Sequence, residues 1–82
     1  MGEQSGDVRT LVEQIVKALV DEPSQVSVNQ IDGETTVLEL TVAPGDVGKV
    51  IGRQGRVAKA LRSLIGAAGI RAHKRFALEI VE

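Results

Sequence analysis

Val50-Ile51-Gly52-Arg53-Gln54-Gly55-Arg56, past the middle of an 82-residue chain, is the stretch on which the fold turns. Two glycines enclose a basic and an amide side chain, and no apolar residue interrupts the four. On either side the apolar residues return at helical spacing: Val47, Val50 and Ile51 before, then Val57, Leu61, Leu64, Ile65 and Ala68. Two helices therefore meet at a break of four residues, with Lys59, Arg62 and Ser63 on the outer side of the second. Glycines at both ends of the break permit positive φ and let the backbone come close to a ligand. The helix starting at Arg56 turns free N–H groups and a positive dipole end toward the break, which attracts phosphate oxygens. Arg53 and Arg56 stand beside it, and Lys49 and Lys59 lie one turn away on either side. The result is a candidate phosphate clamp.

Other phosphate motifs fail on spacing. A nucleotide P-loop requires G-x-x-x-x-G-K-[ST], whereas Gly48-Lys49 is followed by Val50, with no hydroxyl for magnesium. The dinucleotide fingerprint G-x-G-x-x-G is absent, because Gly48, Gly52 and Gly55 are spaced four and three apart.

Working outward, Asp7 can cap a helix whose apolar face is Val8, Leu11, Val12, Ile15 and Leu19. Glu13 and Lys17 pair at i,i+4 on its polar side, and Pro23-Ser24 ends it. Residues 25–32 alternate as a strand around Val26 and Val28, and Asp32-Gly33 signals a two-residue hairpin. The returning strand, residues 34–43, sets Leu38, Leu40 and Val42 on one side against Glu39 and Thr41, so one face is buried and one wet. Pro44-Gly45-Asp46 turns the chain, with Asp46 placed to cap the short helix that precedes the break. Gly69 is the expected stop of the long helix, and Phe76, Leu78 and Ile80 mark a last strand. The order α-β-β-α-α-β is α+β, with helices packed on one face of a three-stranded sheet.

Charge divides the chain sharply. Residues 49–75 hold eight basic side chains and no acid, leaving two basic against eleven acidic residues elsewhere, a net −9. Such polarity is the footprint of a polyanionic partner, which the overall charge of −1 hides. There is no cysteine, so neither a disulfide framework nor a thiolate metal site is available. His73, the single histidine, has no nearby Asp, Glu or Cys motif and reads as a solvated loop residue. The carboxylates show no pairing suited to acid–base work, so no enzyme, cofactor or metal is expected. Gly66 costs about 1 kcal/mol against alanine within a helix, and either close packing or neutrality would accommodate it. Phe76, the single aromatic residue, has core periodicity, which argues against an exposed stacking platform. No apolar run is long enough to span a bilayer. The polar, acidic start from Met1 to Asp7 lacks the basic and apolar parts of a secretory signal and does not fit myristoylation. The expectation is a cytoplasmic protein that does not engage a membrane.

The stretch quoted above resembles the I-G-x-x-G signature of KH domains, whose GXXG loop clamps about four nucleotides of single-stranded RNA. Element order and the closing strand Phe76-Ala77-Leu78-Glu79-Ile80 are similar to the short bacterial proteins made of one type II KH domain. The resemblance covers about residues 7–81. It implies a three-stranded mixed sheet, a KH domain over residues 7–82 and a disordered tail over residues 1–6. It assigns RNA-backbone contacts to Gly52, Arg53, Gln54 and Gly55, reinforced by Arg56, with Lys49 and Lys59 facing adjacent phosphates. Ile51, Val57 and parts of the strand spanning residues 36–42 would line an apolar groove for bases. By the same resemblance the chain is an RNA chaperone or post-transcriptional regulator that forms a homodimer or pairs with a larger KH-containing RNA-binding protein. Two other readings remain open. Helices joined by a glycine turn also describe a helix-turn-helix for duplex DNA, and the chain also fits a ribosome-assembly or protein-interaction module whose basic half docks on ribosomal RNA or an acidic protein. Duplex preference, or salt-dependent sedimentation with ribosomes, separates them.

Overall fold

A computed structural model describes residues 7–82; the tail expected over residues 1–6 and the cap expected from the Asp7 side chain lie outside the described residues. The elements are α1 (Asp7–Leu19), β1 (Ser27–Ile31), β2 (Thr35–Thr41), α2 (Val47–Ile51), α3 (Arg56–Ala72) and β3 (Arg75–Ile80). Single 3₁₀ turns at Pro23–Gln25, Pro44–Asp46 and Arg53–Gly55 connect them. The sheet is ordered β1-β2-β3, antiparallel between the first pair and parallel between the second. It is therefore mixed, as expected, with β2 in the middle.

The hairpin register departs from the two-residue turn expected at Asp32-Gly33. That turn would set Ile31 opposite Glu34, whereas Ile31 pairs with Val37 and Val28 with Leu40. Gly33 is not among the positive-φ residues that a type I′ turn demands. Burial parity decides the matter. Directly opposed residues share a face, and the observed register puts Val28 beside Leu40 in the core. The tight turn would have set Ser27 opposite Leu38 and turned one strand's apolar set outward.

Val26, Val28, Leu38, Leu40 and Leu78 of the sheet side meet Val12, Val16, Val20, Val50, Leu61 and Ile65 from the helical side. The buried line of α1 is Val12 and Val16, continued by Val20 just past its end, with Val8 and Ile15 packed beside it. Leu11 and Leu19, both expected inside, are 40% and 42% exposed. The segment offers more apolar residues than one face can cover, and the i,i+4 row ending at Val20 wins. The polar side carries Glu13 between Arg9 at 3.6 Å and Lys17 at 3.2 Å.

In α3, Leu61 and Ile65 are buried as expected, joined by Ala58 and Gly69, but Leu64 is 40% exposed. Gly69 does not stop the helix, which runs on to Ala72 and caps at His73 in the left-handed region (φ 58°). The Lys74 N–H donates to the Gly69 carbonyl at 2.8 Å and that of His73 to Ile70 at 3.2 Å, a Schellman closure. His73 is thus an exposed helix cap. Gly69 serves the reversal instead: a Cβ there would lie 2.5 Å from the Lys74 carbonyl oxygen. Gly66 has open space around it, so no close packing requires it.

Candidate nucleic-acid interface

The break between α2 and α3 is built on positive φ. Gly52 (φ 78°, ψ 172°), Gln54 (φ 58°, ψ 25°) and Gly55 (φ 73°, ψ 16°) all adopt it. A Cβ on Gly52 would lie 2.4 Å from Val57 Cγ2 and 2.9 Å from its backbone nitrogen, so only glycine lets the loop close against α3. Two bonds hold the turn: Gly52 N–H to the Gly48 carbonyl at 2.8 Å and Gly55 N–H to the Gly52 carbonyl at 3.1 Å. Gly55 is the N-cap of α3 and no side chain caps that end. The positive end of a 17-residue helix is therefore open toward the loop.

Arg53, Gln54, Arg56 and Lys59 are all exposed at this end. The Arg56 guanidinium donates to Gln54 Oε1 at 3.3 Å, tying two of the expected contacts together. Among the described residues, no acid lies within 4.0 Å of the charged groups of Arg53, Arg56 or Lys59. Lys49 is placed differently. Its Nζ is 3.3 Å from Asp21 Oδ2 and 3.9 Å from Asp46 Oδ1.

Asp46 does not cap α2 as expected; no side-chain bond caps that helix. Its buried carboxylate instead accepts the backbone N–H groups of Asp21 at 3.2 Å and Glu22 at 3.0 Å. Those donors lie past the last helical bond of this segment, from the Val20 N–H to the Val16 carbonyl, and a buried carboxylate 24 and 25 residues away serves them. Nothing in the sequence separates this long-range anchor from a local cap.

The expected base groove is only partly open. Leu38 and Leu40 have no exposed surface and Thr36 is buried, because β2 is central and faces the helices. Ile51 and Val57 keep partial exposure beside the loop. The edge strand next to α3 is β3: the Arg62 guanidinium reaches the Leu78 carbonyl at 3.5 Å. Because α3 reverses directly into β3, the loop end of α3 lies over the C-terminal end of that strand, toward the partly buried Ile80. In sequence Arg62 falls on the outer side of its helix; its contact with β3 is not legible there, because periodicity does not reveal strand order.

A family model described as the KH domain of KhpA/KhpB matches residues 9–80. The RNA-binding protein KhpA of Clostridium acetobutylicum is 51% identical over 75 residues, covering 90% of this chain and all of that protein. The RNA-binding protein KhpA of Borreliella burgdorferi is 49% identical over 78 residues, covering 94% of this chain and 95% of the other. The RNA-binding protein KhpA of Aquifex aeolicus is 49% identical over 76 residues, covering 92% and 96%.

Proposed function

This chain belongs to the KhpA/KhpB family of KH domains, and we propose that it holds single-stranded RNA by its backbone, with Gly52 to Gly55 as the clamp. It is an RNA-binding KH protein and not an enzyme. The observation that carries the finer reading is the loop itself. Three positive-φ residues bring the chain around the uncapped N-terminus of α3, with no acid within 4.0 Å of Arg53, Arg56 or Lys59 among the described residues. A phosphate there meets a helix dipole end and flexible cations together. Bases of about four nucleotides would lie against Ile51 and Val57. The KH domain would span residues 7–82, acting in the cytoplasm as a chaperone or regulator of RNA. One domain reads few bases, so pairing with a second copy or with a larger KH protein would supply selectivity. No helix among the described residues is long and apolar enough to cross a membrane.

The test is fluorescence anisotropy with a short single-stranded RNA, matched single-stranded DNA and a duplex, over a range of salt. The Arg53→Asp/Gln54→Asp variant is compared with wild type, and circular dichroism confirms folding. Aspartate tolerates the left-handed backbone at position 54, so the fold is expected to survive. The reading expects preference for the single strand, a salt slope of about 0.7 per phosphate contacted, and loss of binding in the variant. Duplex preference, or equal binding by the variant, would overturn it.

A further inference from the structure

Lys49 stands where a phosphate cation is expected, yet its charge is turned away from the loop. It lies three residues after Asp46 and three before Gly52, so its side chain can serve the turn on either side. Helical side chains lean toward the N-terminus of their helix, which favours the Asp46 side. There the Nζ finds Asp21 at 3.3 Å and the edge of Asp46 at 3.9 Å. Asp46 is already occupied by the backbone N–H groups of Asp21 and Glu22, and it is buried. Asp21 has no other side-chain partner among the described residues, and its side chain is 77% exposed.

Resting on the RNA reading above, we infer that Asp21 sets RNA affinity by competing with phosphate for Lys49. Asp46 anchors the backbone at Asp21 and so presents the Asp21 carboxylate to Lys49. An exposed pair of this kind is weak and screened by salt, so it withholds the cation without locking it. An RNA backbone reaching α2 must then displace one carboxylate to gain one phosphate contact. Asp21 is a positioning residue: it acts on RNA only through Lys49.

The experiment compares wild type, Asp21→Asn, Lys49→Gln and the double variant, titrated with the same single-stranded RNA across salt. Asparagine keeps the backbone N–H that Asp46 accepts, and circular dichroism verifies folding in all four. Asp21→Asn is expected to tighten binding about two- to fivefold, the range of an exposed ion pair. It should also steepen the salt slope by about 0.7, one further phosphate. In the Lys49→Gln background the same change should bring neither gain. An unchanged affinity, or an equal gain without Lys49, would overturn the inference, the latter showing only general repulsion by Asp21. If wild type binds no single-stranded RNA, the loop reading itself falls and this inference with it. If wild type binds and only the Asp21 effect is missing, the loop reading stands.

Discussion

The two loop glycines offer a quantitative contrast, because both have positive φ but only one is crowded. At Gly55 the backbone is left-handed (φ 73°, ψ 16°) and nothing lies within 4 Å of the point where a Cβ would stand. Gly55→Ala should therefore cost the conformational penalty alone, about 1–2 kcal/mol. At Gly52 (φ 78°, ψ 172°) the backbone lies in a region essentially reserved for glycine, worth about 1–3 kcal/mol. The added Cβ also meets Val57 Cγ2 at 2.4 Å and the Val57 nitrogen at 2.9 Å. The methyl could rotate away, but the nitrogen moves only with the first turn of α3. Overpacking of that kind adds about 1–3 kcal/mol, for a total of about 2–6. Urea unfolding followed by circular dichroism reads the difference. With a slope of about 1 kcal/mol/M, Gly55→Ala should lower the midpoint by about 1–2 M. Gly52→Ala should lower it further, or leave the chain unfolded. Equal midpoints, or a worse Gly55 variant, would refute the claim that loop and helix touch at Gly52.

Gly66→Ala should raise stability by about 0.5–1 kcal/mol, since the site is helical, exposed and open, and calorimetry should show a rise in Tm of a few degrees; a fall in Tm would mean that this face meets something. Leu61→Ala should cost about 2–5 kcal/mol in denaturant unfolding, whereas Leu64→Ala should stay within about 0.5 kcal/mol. Similar losses at both positions would show that α3 packs with a different face.

The parts of the fold legible in the sequence are those that depend on local pattern. Strand alternation at Leu38 and Leu40, helix order and the break at Gly52 to Gly55 all repeat within a few residues, and each is found where the pattern places it. The misread features depend on what arrives from elsewhere. Leu11 and Leu64 have apolar character and helical spacing, but which flank of a helix is covered depends on the sheet beneath it. Gly69 looks like a helix stop until the Lys74 carbonyl folds back over it. The Asp32-Gly33 pair prefers a tight turn, but turn preference yields to the register that buries Val28 with Leu40.

Charge shows the same dependence, with a consequence for binding. Along the chain, eight basic residues stand apart from the acids. In space acids approach part of that set. Asp21 and Asp46 reach Lys49, and Asp32 and Glu34 share a cleft with His73, Lys74 and Arg75. Arg62 turns to the Leu78 carbonyl. Of the eight, Lys49 alone has an acid within 4.0 Å among the described residues, and Arg53, Arg56 and Lys59 are the ones that stand free of acids at the mouth of the loop. A phosphate backbone held at the loop alone would neutralise about these three cations rather than all those counted in sequence. At about 0.7 per phosphate, the wild-type salt slope should be near 2. A slope near that value places the RNA on the loop, and one two or three times steeper would mean that the strand runs on toward the far end of α3.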